Sequence, residues 1–176
     1  MKTLSKNLSI ILSTVLLPSA VASAQTCNTA LPETAAIVNF EDHGNGTITD
    51  NYTGLMWQRC TVGLTGTSCA TGSIQEMSWD TALQYVDTIN TSGGYAGYSD
   101  WRLPNIKELG TIAEYRCSNP AINTTIFPNT PSLWFWTLSP DVVNANNSLI
   151  ISFTDGSNRN ENRPTMHPVR LVRSGK

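Results

Sequence analysis

Asp100-Trp101-Arg102-Leu103-Pro104-Asn105-Ile106-Lys107-Glu108 carries the chain from an irregular loop into a helix. Asn105 stands where a helix cap belongs, and Glu108 three residues later completes a capping box. Ile106, Leu109, Ile112 and Ala113 then recur at helical spacing. The helix is expected to end near Cys117. Within the opening triplet, Trp101 reads as a core residue. Asp100 and Arg102 read as groups that fix the loop by hydrogen bonds, because charges survive near a core only when paired.

Upstream lies a second helical pattern, Ser78 to Ile89. Ser78 is its cap, Asp80 suits the first turn, and Trp79, Ala82, Leu83, Val86 and Ile89 share a face. Ser92-Gly93-Gly94 stops it. Further upstream, Asn45-Gly46 is a hairpin turn signal inside Phe40–Asp50, and Leu55-Met56-Trp57-Gln58-Arg59 has strand character. Downstream, Trp134-Phe135-Trp136-Thr137, the alternating stretch ending at Phe153 before Asp155-Gly156, and Val169-Arg170-Leu171-Val172-Arg173 read as strands. Strands, two helices, then strands predict an α+β domain: two helices packed on a twisted antiparallel sheet, with long loops.

The first 24 residues set the compartment. Lys2 and Lys6 precede an apolar run from Leu8 to Leu17, Pro18 ends it, and Ala22-Ser23-Ala24 offers small residues for a peptidase. This is a secretory signal pattern, too short for a membrane span of roughly 20 residues. Cleavage is expected after Ala24. Residues 25–37 then form an extended lead-in and residues 38–176 a single domain. Without Lys2 and Lys6, nine basic residues face thirteen acids, a side-chain net charge of −4. Such a chain does not coat nucleic acid or an anionic membrane through bulk charge.

All four cysteines, Cys27, Cys60, Cys69 and Cys117, follow the signal. An even count in an exported chain implies two disulfides, with three connectivities available. Cys60 and Cys69 span a short Gly/Thr/Ser-rich loop that closes at low entropic cost, which leaves Cys27 for Cys117. No C-x-x-C knuckle favours zinc.

The order of motifs is specific. Gly46-Thr47-Ile48-Thr49-Asp50, Thr53-Gly54-Leu55-Met56-Trp57, Asp100 to Asn105, Lys107-Glu108-Leu109, Phe127-Pro128, Phe135-Trp136 and Val169 to Arg173 together resemble the Lcl C-terminal domain family. The likeness covers roughly residues 38 to 174. It implies a C-type lectin-like fold, as in the formylglycine-generating enzyme group, and a bacterial envelope or extracellular setting: secreted, periplasmic or cell-surface. The family's name-giving member is an adhesin with a collagen-like stalk that binds glycosaminoglycans. This sequence has no Gly-X-Y stalk, and no cysteine after Cys117 to serve formylglycine chemistry.

Candidate sites follow from residue chemistry. Arg159, Arg163, Arg170, Arg173 and Lys176 crowd the last 18 residues with Glu161 the only acid; arginine forks suit sulfate and carboxylate. Trp134 and Trp136 share one strand face and can offer a stacking platform, whichever of them is exposed. The arginines with Trp134 and Trp136 are the expected ligand site. Asp42, Asn45 and Asp50 look like a degenerate calcium loop, although a plain hairpin explains them. His43 and His167 have no nucleophile elbow or metal-ligand pair beside them. No cofactor, metal or catalytic residue is expected. The functional expectation is a non-catalytic exported module that binds an anionic glycan or an envelope protein. A subunit of a surface appendage and a hydrolytic or modifying enzyme are the alternatives.

Overall fold

The computed structural model describes residues 24–175; the expected signal peptide, apart from Ala24, and Lys176 lie outside them. In chain order come β1 (Thr26–Cys27), a 3-10 turn (Ile37–Asn39), β2 (Phe40–Asp42), β3 (Thr47–Asp50) and β4 (Leu55–Gln58). The ladders of β5 (Leu64–Thr65), β6 (Thr71–Gly72) and β7 (Glu76–Met77) precede α1 (Trp79–Thr91) and α2 (Ile106–Thr111). Then follow β8 (Cys117–Ser118), β9 (Trp134–Pro140), β10 (Asn147–Ser152), β11 (Asn158–Asn162), β12 (His167–Pro168) and β13 (Val172–Ser174). Among the described residues the domain is α+β, as expected, with two α-helices.

The expected single sheet is instead two. One has the order β13-β4-β3-β2 and the other β11-β10-β9, and three two-stranded ladders flank them. Pairing is antiparallel throughout these two sheets. The division follows from strands buried on both faces. In β9, Phe135 joins one core cluster and Trp136 the other; in β4, Trp57 and Met56 divide in the same way. The strand period of two sends neighbours to opposite faces, so one chain builds two cores. α2 contributes Leu109, and the residue that caps its end, Ile112, to the first. α1 lays Ala82, Leu83, Val86 and Ile89 on the second. Each fully buried Leu or Ile stabilises by about 1.5–3 kcal/mol.

The helix starts are where the sequence puts them. Ser78 accepts from the Thr81 amide at 3.3 Å. Asn105 Oδ1 accepts from the Glu108 amide at 2.9 Å, and Glu108 Oε2 accepts from the Asn105 amide at 2.8 Å. The same Glu108 carboxylate takes two 2.7 Å bonds from Arg102, and Trp101 is buried. The end of α2 differs: it stops at Thr111, not near Cys117. Non-local bonds take over there. Ala113 bridges to Ile122, the Glu114 amide donates to the Ala121 carbonyl at 3.1 Å, and the Glu114 carboxylate accepts from the amides of Thr34 and Ala35. A single further helical turn does not compete with that set.

The Asn45-Gly46 hairpin joins β2 to β3 with Asp42 opposite Ile48 and Phe40 opposite Asp50. Gly46 is required twice over. Its φ is +91°, and a Cβ there would stand 2.2 Å from the Tyr95 hydroxyl. The disulfides are Cys60–Cys69 and Cys27–Cys117. Cys27 and Cys117 are direct partners across the β1–β8 ladder, which pins the lead-in to the body. No helix among the described residues is long and apolar enough to cross a membrane.

Candidate functional site

The closing segment holds the largest departure from expectation. Arg170 was expected among the ligand-binding arginines, but it is fully buried. Its Nη1 donates to the Gln58 carbonyl at 2.9 Å and to the Arg59 carbonyl. Its Nη2 donates to the hydroxyls of Thr130 at 2.7 Å and Thr61 at 3.3 Å, and the guanidinium lies 4.8 Å over the Phe127 ring. Burial pulls its pKa down to about 9, so it stays charged at neutral pH. It staples the chain end to the last residue of β4 and to the residues just after it, and is closed to a ligand. Trp136 is likewise fully buried; its Nε1 donates to the Met77 carbonyl at 2.9 Å. Of the two tryptophans in β9, Trp134 is the one that reaches solvent.

On the same face as Trp134, the outer strand β11 lines up polar side chains. Arg159 is opposite Ile150 and Glu161 opposite Ser148, while Ile150 is opposite Trp136, so these residues share one side of the sheet. Arg163 follows directly after the strand. The Arg159 guanidinium lies 4.4 Å from the Trp134 ring centre, and the Arg163 guanidinium 4.0 Å from that of Trp79. Arg159 is half-exposed and bonds Glu161 at 2.7 Å. Arg163 donates from Nε to the Ser148 hydroxyl at 3.0 Å. A guanidinium is planar, so one held over an indole face still turns an N–H edge outward for an acceptor. At about 3.3 Å per residue, the two arginines stand ~13 Å apart along the chain.

Three residues of this surface escaped the sequence reading: Trp79, Glu161 as a partner rather than an isolated acid, and His167. The alternation Arg159-x-Glu161-x-Arg163 was the available signal, since a strand puts i, i+2 and i+4 on one face. His167 packs its ring against Trp136, with centres 5.1 Å apart, and its Nε2 is 3.8 Å from Glu161 Oε2. Burial lowers its pKa, with Glu161 pulling the other way. Desolvation acts against the Glu161 carboxylate, but the Asn162 amide and Arg159 hold its pKa below the ordinary value.

Arg173 stands apart from this row. It stacks 4.0 Å over Tyr98 and bonds Asp100 at 2.6 Å, which lowers the Asp100 pKa through that hydrogen bond. His43 sits on the β2–β3 hairpin with its Nε2 2.8 Å from the Thr49 hydroxyl. In the loop that looked calcium-like, the side chains serve the turns. Asp42 accepts from the Gly44 amide and pairs with Arg59, Asn45 accepts from Thr47, and Asp50 accepts from the Tyr52 amide and Thr53. Among the described residues, no group of three or more His, Cys, Asp or Glu is placed to hold a metal ion.

No curated protein sequence matches the chain. The sequence model of the Lcl C-terminal domain matches residues 46–173. That span runs from the Gly46 turn to Arg173 in the closing strand and takes in β3 and β4 of the first sheet, the whole of the second, both helices and the Arg159–Arg163 row. The chain belongs to the Lcl C-terminal domain family.

Proposed function

We propose that this domain is a non-catalytic exported binding module whose ligand is an anionic glycan, docked on the row Arg159, Glu161, Arg163 with Trp134 and Trp79. The observation that carries the reading is the pair of guanidinium-on-indole stacks, at 4.4 Å and 4.0 Å, on one side of an outer strand. A sugar ring has apolar C–H faces for the exposed part of Trp134. Its sulfate or carboxylate groups accept paired bonds from an arginine edge. The scaffold is a rigid sheet, so little ordering entropy is lost on binding. A surface or envelope protein that presents the same anionic chemistry is the alternative occupant.

Export and the C-type lectin-like arrangement belong to the same proposal. Two disulfides fit an oxidising compartment. The return of β13 to β4, beside the first hairpin, supports a loop-like closure of the chain. Retention on a heparin column tests the binding reading. The protein should be retained, elute earlier as salt rises, and lose retention when Arg159 is changed to Ala.

A further inference from the structure

A second concavity opens between the β2–β3 hairpin turn and the Cys60–Cys69 loop. Asn45, Gly46, Arg59, Thr65, Thr67 and Tyr95 are among the residues that line it. Its volume is ≈ 390 Å³, within the ~300–1,000 Å³ of small-ligand clefts. A neighbouring hollow shares Cys60, Thr65 and Tyr95 and adds Gln58, Thr61 and Tyr85. Three separate parts of the chain converge here, and none of the residues belongs to the Arg159 row.

The charge of this wall is uneven. Arg59 has one side-chain hydrogen bond, from Nη1 to Asp42 at 2.5 Å; its Nη2 group has no hydrogen-bond partner among the described residues. Behind the wall lies Arg170. Its hydrogen bonds go to the carbonyls of Gln58 and Arg59 and to the hydroxyls of Thr61 and Thr130, all neutral. Two cations therefore face one acid, Asp42. Burial keeps the Tyr95 phenol protonated. Its hydroxyl bonds the Gly46 carbonyl at 3.2 Å, which fixes the ring at the cleft's edge. The Thr65 and Thr67 hydroxyls and the Asn45 amide add neutral donors and acceptors.

We propose that this cleft binds a single carboxylated sugar unit, with its carboxylate on Arg59 Nη2 and its ring hydroxyls on Thr65, Thr67 and Asn45. The uncompensated charge of Arg170 favours the anion through the wall, where a low dielectric makes its field felt. The hydroxyl-rich rim suits a polyol, and the cleft is sized for one unit rather than a chain.

D-glucuronate and D-glucose, titrated into the isotope-labelled protein and followed by NMR, test the assignment. Glucuronate should shift the amides of Thr65, Gly66, Thr67 and Tyr95 in a saturable way. Glucose, which has the ring without the carboxylate, should bind at least roughly tenfold more weakly, as the loss of a charge-assisted bond implies. Thr67→Tyr, on the exposed loop, should fill the cleft and abolish the shifts while the rest of the spectrum is kept. Arg159→Ala should leave them unchanged, which separates this site from the heparin-binding row. Equal affinity for the two sugars, shifts confined to other residues, or no saturable shift would each overturn the proposal.

Discussion

Arg170 donates a 2.9 Å hydrogen bond to the Gln58 carbonyl, across 112 residues of sequence. It thereby joins the last segment of the chain to the fourth strand. The bond belongs to a set of four around one buried guanidinium, and that set predicts a severe response to truncation. Arg170→Ala leaves two carbonyls and two hydroxyls without their donor and opens a cavity beneath Phe127. The expected loss is about 3–5 kcal/mol, read from urea unfolding. A loss below about 1 kcal/mol would show that the staple is dispensable.

The two disulfides close loops of very different length, with sequence separations of 90 and 9. On the chain-entropy account, Cys27–Cys117 stabilises by about 4.6 kcal/mol and Cys60–Cys69 by about 2.6. Paired Cys→Ala variants, compared by denaturant midpoint, should rank in that order. The reverse ranking would mean that the lead-in contributes little to the folded body.

How far the sequence revealed these features depends on how local they are. The Asn105–Glu108 box and the Ser78 cap were legible because each is a contact within four residues. The Cys60–Cys69 bridge was legible because the loop is short. Arg170 was not. Alternation along Val169–Arg173 predicts an outward arginine, yet Val169, Arg170, Leu171 and Val172 are all buried. The segment leaves regular pairing there: the Val169 and Leu171 carbonyls accept from the amides of Val62 and Gln58, and protein covers both its sides. The Trp79–Arg163 stack was also hidden, since it joins a helix start to a strand end 84 positions away. Trp134 and Trp136 were correctly placed on one face, but only the second sheet's burial decides which of them sees solvent.

Glu114 gives a pH signature. Its carboxylate is nearly inaccessible; desolvation acts to raise its pKa, but the bonds from the Ala35, Thr34 and Arg116 amides outweigh it and the pKa is lowered. A carboxylate with a lowered folded pKa adds stability above its unfolded value of about 4.3. That stability is lost as pH falls through the folded value. Glu114→Gln should flatten the stability profile below about pH 4.3, the unfolded value. An unchanged acid limb would contradict the assignment.

His167 acts at a higher pH. Burial lowers its folded pKa, so the unfolded chain takes up a proton first. Stability should therefore begin to fall as pH drops below about 6.5, the unfolded value. His167→Gln should remove this upper part of the decline and leave the Glu114 part in place. Chemical denaturation at closely spaced pH values separates the two, and a variant with the same profile between pH 6.5 and 5 would refute the role.

The binding claim rests on Arg159. It is half-exposed, stacked on Trp134, and bonded within the sheet only to Glu161, so its removal should cost little stability, about 0.5–1 kcal/mol for an exposed cation–π contact. Arg163 is less clean, because it also holds Ser148 and Trp79. The most direct measurement is the affinity for heparin of the unaltered protein and of Arg159→Ala at several salt concentrations, with thermal unfolding measured alongside. The proposed site predicts salt-sensitive binding that weakens roughly tenfold in the variant while the unfolding midpoint stays nearly constant. Equal, salt-insensitive affinity for both proteins, or no binding by the unaltered protein, would contradict it.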